Sequence, residues 1–246
     1  DTRHLAIDLS GTALKYSVGD ALGVLPTNCE QLVRQVCHAA GLAPQTLVTV
    51  DDKSDPLEKV LSVRCLRSIP FELVERAQER VAQRPKMNGA VAADAAVVER
   101  LQQYADSDEF GEHDVCEFLS SFGPLDLTAM DLVETLPELR PRLYSIASSQ
   151  SHTPHEVHLT VGRVEDMVRD RARKGVASTM LADRLPVGAP LHVFVQPNHG
   201  SFTIPTDPAA PMIMVGPGTG IAPFIAFLQQ RHHDRATGKN WLFFGD

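Results

Sequence analysis

Apolar runs are short throughout the 246 residues, and none approaches the roughly 20 that a membrane-spanning helix needs. No membrane partner is expected. Cysteine is scarce. Cys29, Cys37, Cys65 and Cys116 form no C-x-x-C pair, and no histidine stands at zinc-finger spacing from them. No metal site is expected. The four read as free thiols of a reducing compartment, which implies a cytoplasmic protein. Positive charge is in deficit, with 23 Lys and Arg against 31 Asp and Glu and a net charge of −8. A nucleic-acid binder normally carries a basic face, so nucleic acid is not expected as a partner. The balance still permits a local basic pocket for an anionic cofactor. The sequence has no G-x-S-x-G, no Ser-His-Asp pattern beyond chance, no internal repeat and no low-complexity tract. It opens at Asp1 without a methionine or a signal peptide, and reads as a piece of something longer.

The composition that remains, 43% apolar and 22% charged, is that of a soluble globular protein with ample core. The length fits one large or two modest domains. In "RHLAIDL" the residues Leu5, Ile7 and Leu9 share one face, the period of a half-buried strand. "YSVGDALGVLPTN" reads as turn, strand, turn, and Thr27 or Asn28 is placed to cap a helix that ends at Gly41. From about Asp55 to Leu139 the apolar spacing becomes i, i+3, i+4 with proline and glycine breaks, a helical section. Strand patterns return in "RLYSIAS", "HEVHLTVGRV" and "APLHVFVQ", with a short helix in "GVASTMLADRL". The last segment, "PMIMVGPGTGIAPFIAFLQQRHHD" followed by "NWLFFGD", reads as strand, glycine-rich turn, helix, strand, the opening of a doubly wound sheet. Three prolines in Pro205–Pro211 mark a boundary between two domains.

Three motifs are suited to phosphate-bearing ligands. In "VGPGTGIAPF", Gly216, Gly218 and Gly220 lie between a strand and a helix, where the backbone can approach a pyrophosphate at a helix N-terminus. Ile221 stands where G-x-G-x-x-G would place its third glycine, and a tight βα turn is the plain alternative. In "KGVASTML", Gly175 precedes small residues and a helix, with Ser178 and Thr179 as candidate N-caps. Anion binding and plain helix capping both fit it. In "RPRLYSIASS", Arg142 can grip a phosphate with two hydrogen bonds, Tyr144 offers a ring to a heterocycle, and a run of hydroxyls follows. On strand alternation Arg142 and Tyr144 share one face and Leu143 and Ser145 the other. For Ser145 to reach the same ligand, the strand must end or bend there. An edge strand with exposed polar residues is the alternative.

Taken in order, with a helical insertion before the first of them, the strings "RLYSIASS", "GVAS" and "GPGTGIAP" resemble the ferredoxin–NADP reductase-type module of the diflavin reductases, and most of all its sulfite reductase branch. The resemblance covers nearly the whole chain. It implies a fold of mixed α+β and α/β class: an antiparallel β-barrel FAD domain over residues 1–207, a helical connecting insertion at about 28–139, and the first part of a Rossmann-like parallel NADPH domain over 208–246. It implies an NADPH-dependent FAD oxidoreductase that passes electrons through FMN, on a flavodoxin-like domain not present in this chain, to a sulfite reductase hemoprotein (beta) subunit. A cytochrome P450 reductase-type module and a non-catalytic, partner-docking piece are the alternatives.

By the same resemblance, Arg142 binds the FAD pyrophosphate, Leu143 and Tyr144 lie along the flavin with the Tyr144 ring on the isoalloxazine, and Ser145 is the catalytic residue beside flavin N5. Thr160, Val161 and Gly162 run along the FAD through their backbone. Gly175, Val176, Ala177 and Ser178 wrap its pyrophosphate. Gly216, Gly218, Thr219 and Gly220 form the NADPH pyrophosphate turn. Asp166 stands where the family carries an FAD-contacting tyrosine, and a family threonine of the insertion aligns near Arg67 or Ser68.

Overall fold

The structure, a computed structural model, describes residues 1–85, 90–169, 171–200 and 202–245. It opens with strands β1 (Thr2–Asp8) and β2 (Ala21–Val24). Next come helix α1 (Glu30–Ala39), the β3 (Leu47–Val50) and β4 (Lys53–Pro56) hairpin, α2 (Leu57–Leu61), α3 (Phe71–Ala82), α4 (Ala90–Ala105), α5 (Glu109–Glu112), α6 (Val115–Phe122) and α7 (Ala129–Thr135). Strands β5 (Arg142–Ser145), β6 (Glu156–Gly162), β7 (Glu165–Val168) and β8 (Arg171–Lys174) follow, then the short α8 (Val176–Thr179) and β9 (Val193–Gln196). The chain closes with β10 (Met212–Val215), α9 (Ala222–His233) and β11 (Asn240–Phe243). It divides into two compact units, Asp1–Pro26 with Arg140–Asp246, and Thr27–Leu139.

In the first unit β2 lies between β5 and β9, antiparallel to both. Leu22 and Val24 are fully buried and join Ile146, Val157, Leu159, Val161, Met180 and Leu181 in one apolar core. Gly23 permits this packing: a Cβ there would fall 2.3 Å from the Phe194 ring, which lies across β2. β1 pairs antiparallel with β6 from Thr2↔Gly162 to Asp8↔Glu156, and a single bridge, Ile146↔Leu159, links β6 to the segment after β5. Among the described residues these ladders are not joined by hydrogen bonds into a closed ring. β7 and β8 form a separate antiparallel hairpin. β10 and β11 pair in parallel with α9 between them, the β–α–β order expected of the last segment.

Two local expectations are corrected in this unit. β9 begins at Val193 rather than Ala189, since β2 offers only Ala21–Val24 to pair with. The short helix in "GVASTMLADRL" is one α-turn, Val176–Thr179, continued by a π-helical turn over Met180–Arg184.

The second unit is mostly helical. Leu57, Leu61, Leu66, Leu73, Leu101, Phe118 and Leu132 are fully buried in its core. Two capping boxes fix helix starts, Asp114 with Glu117 on α6 and Thr128 with Asp131 on α7. The N-cap of α1 is Cys29, not Thr27 or Asn28. Asn28 is instead buried, and its side-chain amide donates to the carbonyls of Leu61 (2.9 Å) and Arg64 (2.6 Å).

Candidate functional site

β5 presents its candidate residues much as the alternation requires. Arg142 and Tyr144 stand opposite Val24 and Leu22, while Leu143 and Ser145 stand opposite Gly23 and Ala21. Arg142 is exposed, and its guanidinium makes no hydrogen bond or ion pair among the described residues. Tyr144 is half-buried against the core. Burial pushes its phenol pKa up, and the positive charge of Arg142 opposes that rise. Leu143 remains 55% exposed. The strand ends at Ser145, which is exposed, and Ile146 then turns inward with its N–H on the Asp20 carbonyl (3.2 Å).

The hydroxyls of "SIASS" divide into two kinds. Ser145 faces solvent, but Ser148 and Ser149 are fully buried and bind protein. Ser148 Oγ accepts the His158 N–H (2.9 Å) and shares a hydrogen bond with Tyr16 Oη (2.8 Å). Ser149 donates its N–H to Gln229 Oε1 (2.8 Å) and its hydroxyl to Gln230 Oε1 (2.6 Å). The hydroxyl run is therefore not one ligand-facing stripe.

On β6, Val161 is fully buried and paired with Arg3 of β1, while Thr160 and Gly162 are half-buried. Close approach continues at the next turn. Gly175 donates its N–H to the Val164 carbonyl (2.9 Å), and a Cβ on Gly175 would meet Ser178 Oγ at 2.6 Å and Val164 Cβ at 3.0 Å. Gly175, not Ser178 or Thr179, is the N-cap of α8, and Val176 is half-buried behind it. Ala177, Ser178 and Thr179 are buried. Ser178 Oγ accepts the Val164 N–H (3.2 Å), and Thr179 Oγ1 donates to the Gly175 carbonyl (2.8 Å). Both hydroxyls thus tie the turn together from within. Asp166 is exposed on the β7–β8 hairpin opposite Arg173. Arg163 holds the base of that hairpin by ion pairs to Glu165 (2.5 Å) and Asp183 (2.9 Å).

The glycine-rich turn is tight for a visible reason. A Cβ on Gly216 would meet Phe224 Cδ2 at 2.8 Å and the Gly220 carbonyl oxygen at 2.9 Å. Gly218 has φ of +53°, a left-handed conformation that glycine adopts without strain. A 3₁₀ turn over Gly218–Ile221 leads into α9, with Thr219 and Gly220 exposed. A Cβ on Gly162 would lie 3.4 Å from Thr219 Cγ2, so the end of β6 and this turn lie side by side.

The geometry therefore gathers the candidate segments into one unit. β5 is tied to β6 and α9 through Ser148 and Ser149, the Gly175 turn to the end of β6 through Val164, and the glycine-rich turn to Gly162. Sequence reasoning missed Tyr16, Gln229 and Gln230. Nothing in their local pattern marks them, because their partners are far along the chain.

The model of the FAD binding domain family matches residues 1–180. The chain belongs to the FAD-binding domain family. The model of the oxidoreductase NAD-binding domain matches residues 214–246, beginning at the end of β10 and including the glycine-rich turn. Whole-chain relatives point the same way. The sulfite reductase [NADPH] flavoprotein alpha-component of Aliivibrio fischeri is 44% identical over 248 residues, covering 100% of this chain and 39% of the relative. The same-named proteins of Vibrio vulnificus (43%; 100% of this chain, 38% of the relative) and Zymomonas mobilis (41%; 100% and 39%) match as extensively. The chain spans about two fifths of the length of the curated relatives it matches. The R-L-Y-S, T-V-G and G-V-A-S strings all lie within the residues that the FAD-binding family's model matches.

Proposed function

We propose that this chain is the FAD- and NADPH-binding reductase module of a sulfite reductase flavoprotein. The observation that carries this reading is the meeting of Gly162, in the FAD-matched region, with Thr219, in the NAD-matched region. Two dinucleotides bound along these segments would lie side by side in one compact unit. When bound, FAD supplies the redox chemistry: it takes a hydride from the dihydronicotinamide of NADPH, which leaves as NADP⁺, and then gives up the two electrons singly.

The residues present suit that group. Arg142 is a cation at the rim of the core without an ion-pair partner among the described residues, suited to a pyrophosphate. Tyr144 presents a half-buried ring, Leu143 an apolar contact, and Ser145 an exposed hydroxyl at the strand end, the candidate catalytic hydrogen-bonding group near the reacting atom. Thr160 and Gly162, half-buried on either side of the buried Val161, offer backbone, and Gly175, Val176, Ala177 and Ser178 form a turn too close-packed for a Cβ at residue 175. Gly216, Gly218, Thr219 and Gly220 suit the second pyrophosphate.

The antiparallel ladders are read as the wall of an FAD-domain barrel over residues 1–207, interrupted by the helical insertion at about 28–139, with 208–246 as the start of the NADPH domain. The proposal extends to an FMN-bearing flavodoxin-like domain as the next electron acceptor, a hemoprotein subunit after it, and a cytoplasmic setting. Among the described residues no helix is long and apolar enough to cross a membrane. The test is anaerobic titration of the flavin-loaded protein with NADPH, which should reduce the FAD. A flavin reduced by dithionite but untouched by NADPH would remove the NADPH half of the proposal.

A further inference from the structure

Helix α9 follows the glycine-rich turn, but its second half carries residues that belong to no cofactor motif. Ser149, fully buried and four positions beyond Ser145, meets two of them. Its N–H donates to Gln229 Oε1 (2.8 Å) and its Oγ–H to Gln230 Oε1 (2.6 Å). The Gln230 amide is itself oriented. Its Nε2 donates to both carboxylate oxygens of Asp234 (3.0 Å each), so its oxygen must point toward Ser149. The Ser149 carbonyl is engaged as well, accepting the Thr153 N–H (2.9 Å). Ser149 is thus held through its N–H, its hydroxyl and its carbonyl.

The other end of α9 is also fixed. It emerges from the turn in which Thr219 lies against Gly162. One contact between a helix and a sheet leaves a pivot. A second contact about ten residues on, roughly 15 Å along a helix, works with the core packing of α9 and with buried Arg231, which donates to the Ala210 and Gly238 carbonyls, to hold the rotation of the turn. Ala226 and Phe227 pack on Val18 between the two ends. The amides of Gln229 and Gln230 thus link the flavin strand to the helix that supports the second cofactor turn.

We infer that Gln229 and Gln230, the latter oriented by Asp234, are positioning residues for hydride transfer. They hold the Gly216–Gly220 turn in register with β5, and so set how the hydride donor approaches the Ser145 end of that strand. This rests on the proposed function. Misplacement of reacting atoms by about 1 Å can cost on the order of a hundredfold in rate, so a loosened α9 should slow the reaction without releasing FAD.

The test compares Gln229→Leu with Gln229→Glu in the full FAD-loaded polypeptide. Three readouts are taken: FAD per chain, hydrogen exchange at the Ser149 amide, and the rate of flavin reduction at saturating NADPH. Gln229→Leu should keep its FAD, exchange the Ser149 amide faster, and lower the maximal rate about tenfold. Gln229→Glu should restore both protection and rate, because a carboxylate oxygen accepts the same N–H. Ser149→Ala, which removes only the hydroxyl bond to Gln230, serves if the leucine variant fails to fold, and should lower the rate in the same direction. A parental rate in Gln229→Leu despite faster Ser149 exchange overturns the inference, as does a glutamate variant that protects Ser149 but stays slow. A parent protein that holds FAD yet is not reduced by NADPH fails the proposed function instead.

Discussion

Thr219 in the glycine-rich turn lies against Gly162 at the end of β6, close enough that a Cβ at residue 162 would come within 3.4 Å of the Thr219 methyl. The two residues come from segments matched to different cofactors. Gly162 pairs with Thr2 at the very end of its ladder, so a larger residue there disturbs little of the sheet. A Cβ alone would make ordinary contact there, so it is the two γ methyls of Gly162→Val that should displace the turn and weaken NADP⁺ binding about tenfold, equivalent to about 1.4 kcal/mol, with little change in the unfolding midpoint of the protein. Calorimetric titration with NADP⁺ checks this. Parental affinity in the variant would mean that the contact does not shape the second site.

Arg142 is exposed and has no protein partner to lose among the described residues. Arg142→Ala should leave thermal stability of the flavin-free protein within its usual scatter and weaken FAD binding about tenfold to a hundredfold, the usual weight of a charge-assisted contact to phosphate. Flavin retained after gel filtration gives the answer. Equal flavin in variant and parent would remove Arg142 from the site.

Gly175 tests close packing at the turn before α8. Its φ of −61° is ordinary, so any cost of a side chain is steric rather than conformational. Alanine places a methyl 2.6 Å from Ser178 Oγ, which holds the Val164 N–H. Gly175→Ala should destabilise the flavin-free protein by about 1–3 kcal/mol and lower its FAD content. Urea unfolding with and without FAD separates the two effects.

Much of this arrangement is legible in the sequence, and the rest is hidden for physical reasons. Strand β6 shows in the alternation of Val157, Leu159 and Val161, which are the residues that are fully buried. The β–α–β close shows in an apolar strand, three glycines and a helix. What cannot be read locally is partnership. Ser148 and Ser149 look like ligand-facing hydroxyls until Tyr16, Gln229 and Gln230 arrive from more than 75 positions away. Ser178 and Thr179 look like caps, yet Gly175 turns the chain first. Asn28 looks like a cap, but its amide has two carbonyls to satisfy on α2 and the turn after it.

In the helical unit, Asp131 is 1% exposed and receives Arg80 Nε (2.8 Å) and Nη2 (2.9 Å) together with Arg76 Nη1 (2.6 Å). Burial alone would raise its pKa. The hydrogen bonds from Arg80, the Thr128 N–H and Arg76 outweigh that and hold the carboxyl well below its ordinary value of 3.8. A pKa lowered on folding stabilises above the unfolded value, and that stability is lost as pH falls below it. Asp131→Asn should cost about 2 kcal/mol at neutral pH, less than a fully buried pair because both arginines are about one third exposed. Its stability should also fall less steeply than the parent's as pH drops below about 4. Parallel acid profiles would show that Asp131 is not the group that titrates.

The most direct measurement is the stoichiometry of FAD on the purified chain after incubation with the free cofactor. About one tightly held FAD per chain, with visible flavin absorbance that survives gel filtration, is the result predicted by the gathering of Arg142, Tyr144, Gly162 and Gly175 in one unit. A folded chain that stays colourless and releases all added FAD would contradict it.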